Sequence, residues 1–175
     1  MQDLSIRYNL WRLNLKWTKL KKLVMEKTAP EVLKRIDFQI ARYRTNKKEE
    51  GRCFILLDKQ EVFSACTFTK RREKAKLLSS YSEEEADKIL KERKIISQYE
   101  FYDAFKEYIS LSIDDAVNSD NFIIRALSLI DKRFGKRRLL KIKPPADKND
   151  PEYIFLKLRC ESLGLYHESL KNPSP

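Results

Sequence analysis

The chain has 175 residues, 42% of them apolar, which is enough for a core, and its basic residues outnumber the acidic ones to a formal charge of +11. No run of about 20 apolar residues occurs, so no membrane-spanning helix is expected. Cys53, Cys66 and Cys160 are odd in number and widely spaced, which excludes a disulfide framework and a C-x-x-C zinc site.

The N-terminus MQDLSIRYNLWRLNLKW has neither a clean apolar core nor a small-residue cleavage site, so the cytoplasm is the expected location. Arg7, Arg12 and Lys16 among Leu10, Leu13 and Trp17 suit a basic amphipathic segment over residues 1–16. A core over 17–143 follows, then a linker, docking helix and loose tail (KNPSP) over 144–175. WTKLKKLVM predicts a helix, with Trp17, Leu20, Leu23 and Val24 inward and Lys19, Lys21 and Lys22 outward. Thr28 is placed to cap a further turn opened by Pro30.

From Ile36 the period changes to two: Ile36, Phe38 and Ile40 alternate with Asp37 and Gln39, a strand. Arg42 and Arg44 keep the apolar parity, so one face passes from core to cation, with the two stems about 7 Å apart. They can snorkel from a core rim or clamp an anion. TNKKEEG predicts a hairpin loop ending in Gly51. Arg52 to Leu57 is apolar on both parities and predicts a central strand covered on both faces. Asp58-Lys59-Gln60-Glu61 predicts a tight turn, and Val62 to Phe68 a third strand. The fold class is α+β: a small antiparallel, three-stranded meander packed by N-terminal and C-terminal helices, with LLKIK or the N-terminus as candidates to extend it.

Lys70, Arg71, Arg72, Lys74 and Lys76 form a basic cluster leading out of the sheet. Ser82 with Glu85, and Ser97 with Glu100, have capping-box spacing and open two helices. In the second, Phe101, Phe105 and Ile109 form an aromatic stripe flanked by Tyr102 and Tyr108. A short helix is expected at Ser112 and Asp115. Asp120 or Ser119 is expected to cap the next, in which Ile123, Leu127 and Ile130 share a face. Gly135 would end it at positive φ, with Lys132 and Arg133 against its dipole. KRRLLKIK then places Lys136, Arg137, Arg138, Lys141 and Lys143 around Leu139, Leu140 and Ile142. Asp150 as cap, Pro151 at the first position and Gly164 past the end define the last helix, with Tyr153, Leu156, Cys160 and Leu163 inward.

GRCFILLDKQEVFS with ARYR before it, the stretch from SQYEFYDAF to GKRRL, and FLKLRCESLGL resemble a family of small bacterial proteins known by an enterobacterial locus-tag name. The resemblance covers Ile36 to Leu165. It implies a soluble bacterial protein and carries over no activity, cofactor or site. Asp58-Lys59-Gln60 lacks the family's turn glycine, and the basic N-terminus is longer.

Catalytic patterns are sparse. The one histidine, His167, falls in a stretch expected to fray, and the three glycines serve turns or caps rather than a phosphate loop. Asp114 with Asp115, and Asp58 with Glu61, are carboxylate pairs already occupied by cap and turn roles. The balance is against an enzyme, and no cofactor or metal is expected. Charge is uneven: about +11 before Ser79, about −6 from Ser79 to Asp131 and about +6 beyond. The pieces pair internally or form a basic face. The leading expectation is a non-enzymatic module binding nucleic acid through phosphates, using Arg42, Arg44, Arg52, Arg71, Arg72, Arg137 and Arg138, with Tyr43 as a candidate stacking ring. The alternative is a protein-interaction module, such as an inhibitor, immunity or accessory subunit, with an acidic protein partner.

Overall fold

The structure, a computed structural model, describes residues 15–45, 48–167 and 170, without the side chains of 44, 45, 48 and 49. The expected basic segment with Arg7 and Arg12, and the tail KNPSP, lie outside the described residues. In chain order the elements are α1 (Trp17–Lys27), β1 (Ile36–Thr45), β2 (Lys48–Leu57), β3 (Gln60–Cys66), α2 (Thr67–Leu77), α3 (Glu83–Glu92), α4 (Gln98–Ser110), α5 (Ile113–Val117), α6 (Phe122–Leu129), α7 (Lys136–Leu139) and α8 (Pro151–Ser162). The chain forms two compact units, residues 37–103 and residues 1–36 with 104–175. The α+β class holds.

The 37–103 unit is built on the antiparallel meander, in the order β1-β2-β3. Asp58 and Lys59 both take positive φ, 49° and 69°. They form the two-residue turn between β2 and β3, whose backbone twist matches that of the strands. Ile55 pairs with Phe63 but Leu56 with Glu61, so Val62 is a bulge. The extra residue turns Glu61 onto the face of Arg52, Phe54 and Leu56. Cys53 and Ile55 are buried on the other face, whereas Arg52, Phe54 and Leu56 are only half-buried. The central position of β2 is therefore as expected, but its equal cover on both faces is not.

Gly51 lies within β2, not at the end of a loop. A Cβ there would meet the Ala41 carbonyl oxygen at 2.3 Å and Gln98 Oε1 at 2.7 Å. The residue is needed for close approach rather than for a turn. The third strand stops at Cys66, so Phe68 belongs to the first turn of α2.

α2 has no buried residue. Its sequence TFTKRREKAKL is rich in good helix formers, and side-chain ion pairs hold it in place of an apolar stripe. Lys70 reaches Glu100 at 2.6 Å, Arg71 pairs with Glu50, and Lys74 reaches Asp87 at 2.8 Å. α3 begins at the Ser82–Glu85 capping box. α4 opens at the Ser97–Glu100 box, where Glu100 Oε2 accepts from the Ser97 N–H at 2.7 Å and the Glu100 N–H donates to Ser97 Oγ at 3.3 Å.

The other unit is helical. α6 packs on α5 and α8, and the inner face of α6 includes Ile123, Ile124 and Leu127, each at most 1% exposed. Asn121, rather than Asp120 or Ser119, caps it, its side chain accepting from the Ile123 N–H at 3.0 Å. α6 ends at Leu129, so Lys132 and Arg133 lie outside its last turn and Gly135 does not terminate it. Gly135 has φ −76° and is the N-cap of α7. KRRL is thus a single helical turn, not an extra strand, and the sheet has three strands among the described residues. Leu139 is buried, but Leu140 is 45% exposed. Asp150 and Pro151 open α8 as expected, and Gly164 past its end has φ +62°.

Thr28 does not cap a following turn. It ends α1, its hydroxyl donating to the Val24 carbonyl at 3.0 Å, and it bridges to Asp131. His167 does not fray: it is 7% exposed, and its Nε2 lies 3.0 Å from the Ile142 carbonyl. A carbonyl only accepts, so Nε2 carries the proton.

Candidate nucleic-acid interface

In the 37–103 unit, the end of β1 and the start of α2 form an exposed cluster. Tyr43 is 40% and Phe68 38% exposed, with ring centroids 5.8 Å apart and planes tilted by 54°. The Arg71 guanidinium lies 5.8 Å from the Phe68 ring, on the same helix face three residues on. Its carboxylate partner, Glu50, is 5% exposed, whereas the Arg71 side chain is 58% exposed. One edge of the guanidinium is thus fixed by a buried charge while the rest faces water. Arg42 is exposed and has no partner among the described residues. Arg72 is 70% exposed and lies 3.3 Å from Glu73. The backbone of Arg44 continues β1, while its side chain lies outside the described residues.

Arg52 is arranged differently. It runs along the sheet face, its guanidinium 4.8 Å from the Phe54 ring centroid and paired with Glu61. Lying over a ring and already bonded, it has less to offer an incoming anion. In the helical unit, Arg138 pairs with Asp114 and lies 4.6 Å from the Phe134 centroid. Arg137 beside it is exposed, with no partner among the described residues. The structure therefore brings Arg71 to the Tyr43–Phe68 pair, has Arg42, Arg44, Arg52 and Arg72 in the same unit, and places Arg137 and Arg138 in the other. Phe68 and Glu50 escaped sequence reasoning, one assigned to a strand end and the other to a loop. An aromatic one turn before a basic pair, three and four residues apart, was the available signal.

Cys66 precedes α2 in extended conformation. Burial pushes its thiol up, but the Thr69 backbone and hydroxyl, the Phe68 N–H and the Arg52 charge favour the thiolate and bring it below its ordinary value. Burial pushes Cys53 up to about 12 and also raises Cys160.

A polar network in the helical unit is centred on a buried carboxylate. Asp131, 0% exposed, accepts from the Tyr108 hydroxyl at 2.6 Å, from Arg133 Nη2 at 2.6 Å and from the Arg133 N–H at 2.8 Å. Burial pushes its carboxyl up, yet these donors outweigh burial and hold it below the usual range. Tyr108 is driven upward by burial and the Asp131 charge. Lys27, over the Tyr108 ring at 5.4 Å, is lowered by burial and Arg133. With its carboxylate and phenol buried and Asp131 bridged to Thr28, this network ties segments together.

Among the described residues, no three His, Cys, Asp or Glu side chains are grouped to hold a metal ion, and no helix is long and apolar enough to cross a membrane. The model of the SF0329 protein family matches residues 16–160. No curated protein and no solved structure matches the chain.

Proposed function

The chain belongs to the SF0329 protein family, and from its own geometry we propose that it is a non-enzymatic module binding nucleic acid through phosphates. The contact face is that of the 37–103 unit carrying Arg71 and Arg72, and Arg42 and Arg44, in β1 of the same unit, are the further arginines we assign to phosphate contact. Arg71 carries the reading. Held by buried Glu50 and lying by Phe68, it is a preorganised cation with free donors, so little side-chain entropy remains to be lost when a phosphate oxygen binds. The charge of +11 supplies the long-range attraction. Arg137 and Arg138, in the helical unit, are the other arginines assigned to phosphate contact.

Fluorescence anisotropy with a labelled random-sequence oligonucleotide across a salt series tests this. Binding should weaken steeply with salt, and each phosphate-contacting arginine removed should flatten the log–log slope by about 1. Arg42→Gln and Arg72→Gln probe exposed positions. Arg71→Gln is made together with Glu50→Gln, so that no buried carboxylate is left uncompensated. Arg137→Gln with Arg138→Gln reports on the helical unit. An unchanged slope rejects the residues altered.

A second reading, an acidic protein partner, is favoured by one observation. Tyr43, Phe68 and Arg71 are the residue types that anchor protein interfaces, and the α2 cations already pair with carboxylates. In that case heparin and random DNA bind weakly, and pull-down recovers one stoichiometric acidic protein.

A further inference from the structure

Resting on the nucleic-acid reading, we infer that the ligand is single-stranded and that one of its bases stacks on the Tyr43–Phe68 pair. Three phenylalanines of the sheet unit show what its rings do when they serve the core. Phe38 and Phe101 are 0% exposed, and Phe63 stacks on Phe101 at 6.4 Å. Tyr43 and Phe68 stay about 40% exposed though they touch, on elements that hold them side by side.

The cations beside this pair come from α2, since Arg42, the chain neighbour of Tyr43 in β1, points to the opposite face of the strand. Arg71 and Arg72 follow Phe68 by three and four residues, which puts all three on one helix face. Arg71 is held by Glu50, so its guanidinium stays near the Phe68 ring with no ligand present.

An uncharged π surface with a guanidinium group at its side matches a nucleotide, whose base offers a flat face and whose phosphate carries the charge. A duplex cannot use the rings, because its base faces are covered by their neighbours and only base edges are open in the grooves. A protein reading phosphates alone needs no exposed ring. An acidic peptide meets the cations but brings no flat face to the aromatic pair.

The experiment compares a single strand with the duplex of the same sequence by anisotropy, using wild type, Tyr43→Ala/Phe68→Ala and the ring-preserving Tyr43→Phe. Wild type should prefer the single strand. The double alanine variant should lose about tenfold in single-strand affinity, at the scale of one stacked base, with duplex binding unchanged and Tyr43→Phe behaving as wild type. Circular dichroism melts confirm folding, and Tyr43→Ala alone serves should the double variant unfold. Equal single-strand and duplex affinities, both unmoved by the alanine changes, overturn the platform and leave the phosphate reading standing. Absence of salt-sensitive binding to either nucleic acid overturns both. Saturable binding to poly-glutamate but not to oligonucleotide also overturns both, in favour of an acidic partner.

Discussion

Asp131→Asn is the most severe test of how the helical unit holds together. The carboxylate is fully buried and binds Tyr108, Arg133 and the Arg133 amide at 2.6 to 2.8 Å. Its backbone adjoins the end of α1 through the bridge to Thr28, and the Lys132 N–H donates to the Lys27 carbonyl at 2.9 Å. Breaking a buried charge pair costs about 3–5 kcal/mol. The Arg133 side chain is 34% exposed and can turn its freed charge toward water, so the lower end applies, about 3 kcal/mol. That is a large share of the roughly 5–15 kcal/mol that holds a domain folded. Tyr108→Phe removes one hydrogen bond to a charged acceptor, about 1.5–3 kcal/mol. The double variant should cost less than the sum, because both changes remove the same bond. Urea unfolding followed by tryptophan fluorescence measures this, Trp17 lying 5.5 Å from Phe105 in the same unit. The midpoint should fall while the slope stays constant. The pH dependence has a definite sign. The folded-state pKa of Asp131 is depressed, so its contribution is complete above the ordinary value of 3.8 and is lost as pH falls through the folded value. Asp131→Asn should flatten the acid-side loss of stability below about pH 4. A cost under about 1 kcal/mol would refute the network's role.

Other outcomes follow from single residues. Of the three thiols, Cys66 should be alkylated first, with a pH midpoint below the ordinary thiol value of 9.0, because Cys53 and Cys160 are buried and shifted upward. Peptide mapping that finds Cys53 or Cys160 modified first would contradict this. Gly51→Ala should destabilise by about 3 kcal/mol, high in the overpacking range, since its Cβ would strike a β1 backbone oxygen that cannot rotate away. A neutral result in urea would mean the strands are less closely apposed. Ser97→Ala should cost about 1 kcal/mol by removing one half of the α4 capping box. Unfolding curves superimposable on wild type would show that this helix start needs no cap.

The legible features were those whose partners lie within a few residues. Ser82 and Glu85, Ser97 and Glu100, Ser112 and Asp115, and Asp150 with Pro151 all act across one helical turn, so spacing alone identifies them. The alternation from Ile36 to Arg42 likewise reveals a strand whose buried side ends in an exposed cation. Asp58-Lys59 was legible as a turn, but not its positive φ values, which non-glycine residues rarely adopt.

Choice of distant partner was decided only in the folded chain. Gly51 is required because β1 and Gln98 crowd it, and no local pattern announces that. Glu61 faces Arg52 only because Val62 bulges. Asp131 resembles any carboxylate after a helix until Tyr108 and Arg133 close on it. The basic run in α2 reads as a free cationic surface, yet Glu50, Asp87 and Glu100 bind its cations, leaving Arg71 half-engaged beside an exposed pair of rings. Local energetics select helix, strand and cap from neighbouring residues. Which charges remain available, and which rings stay in water, depends on chain segments that meet only through folding.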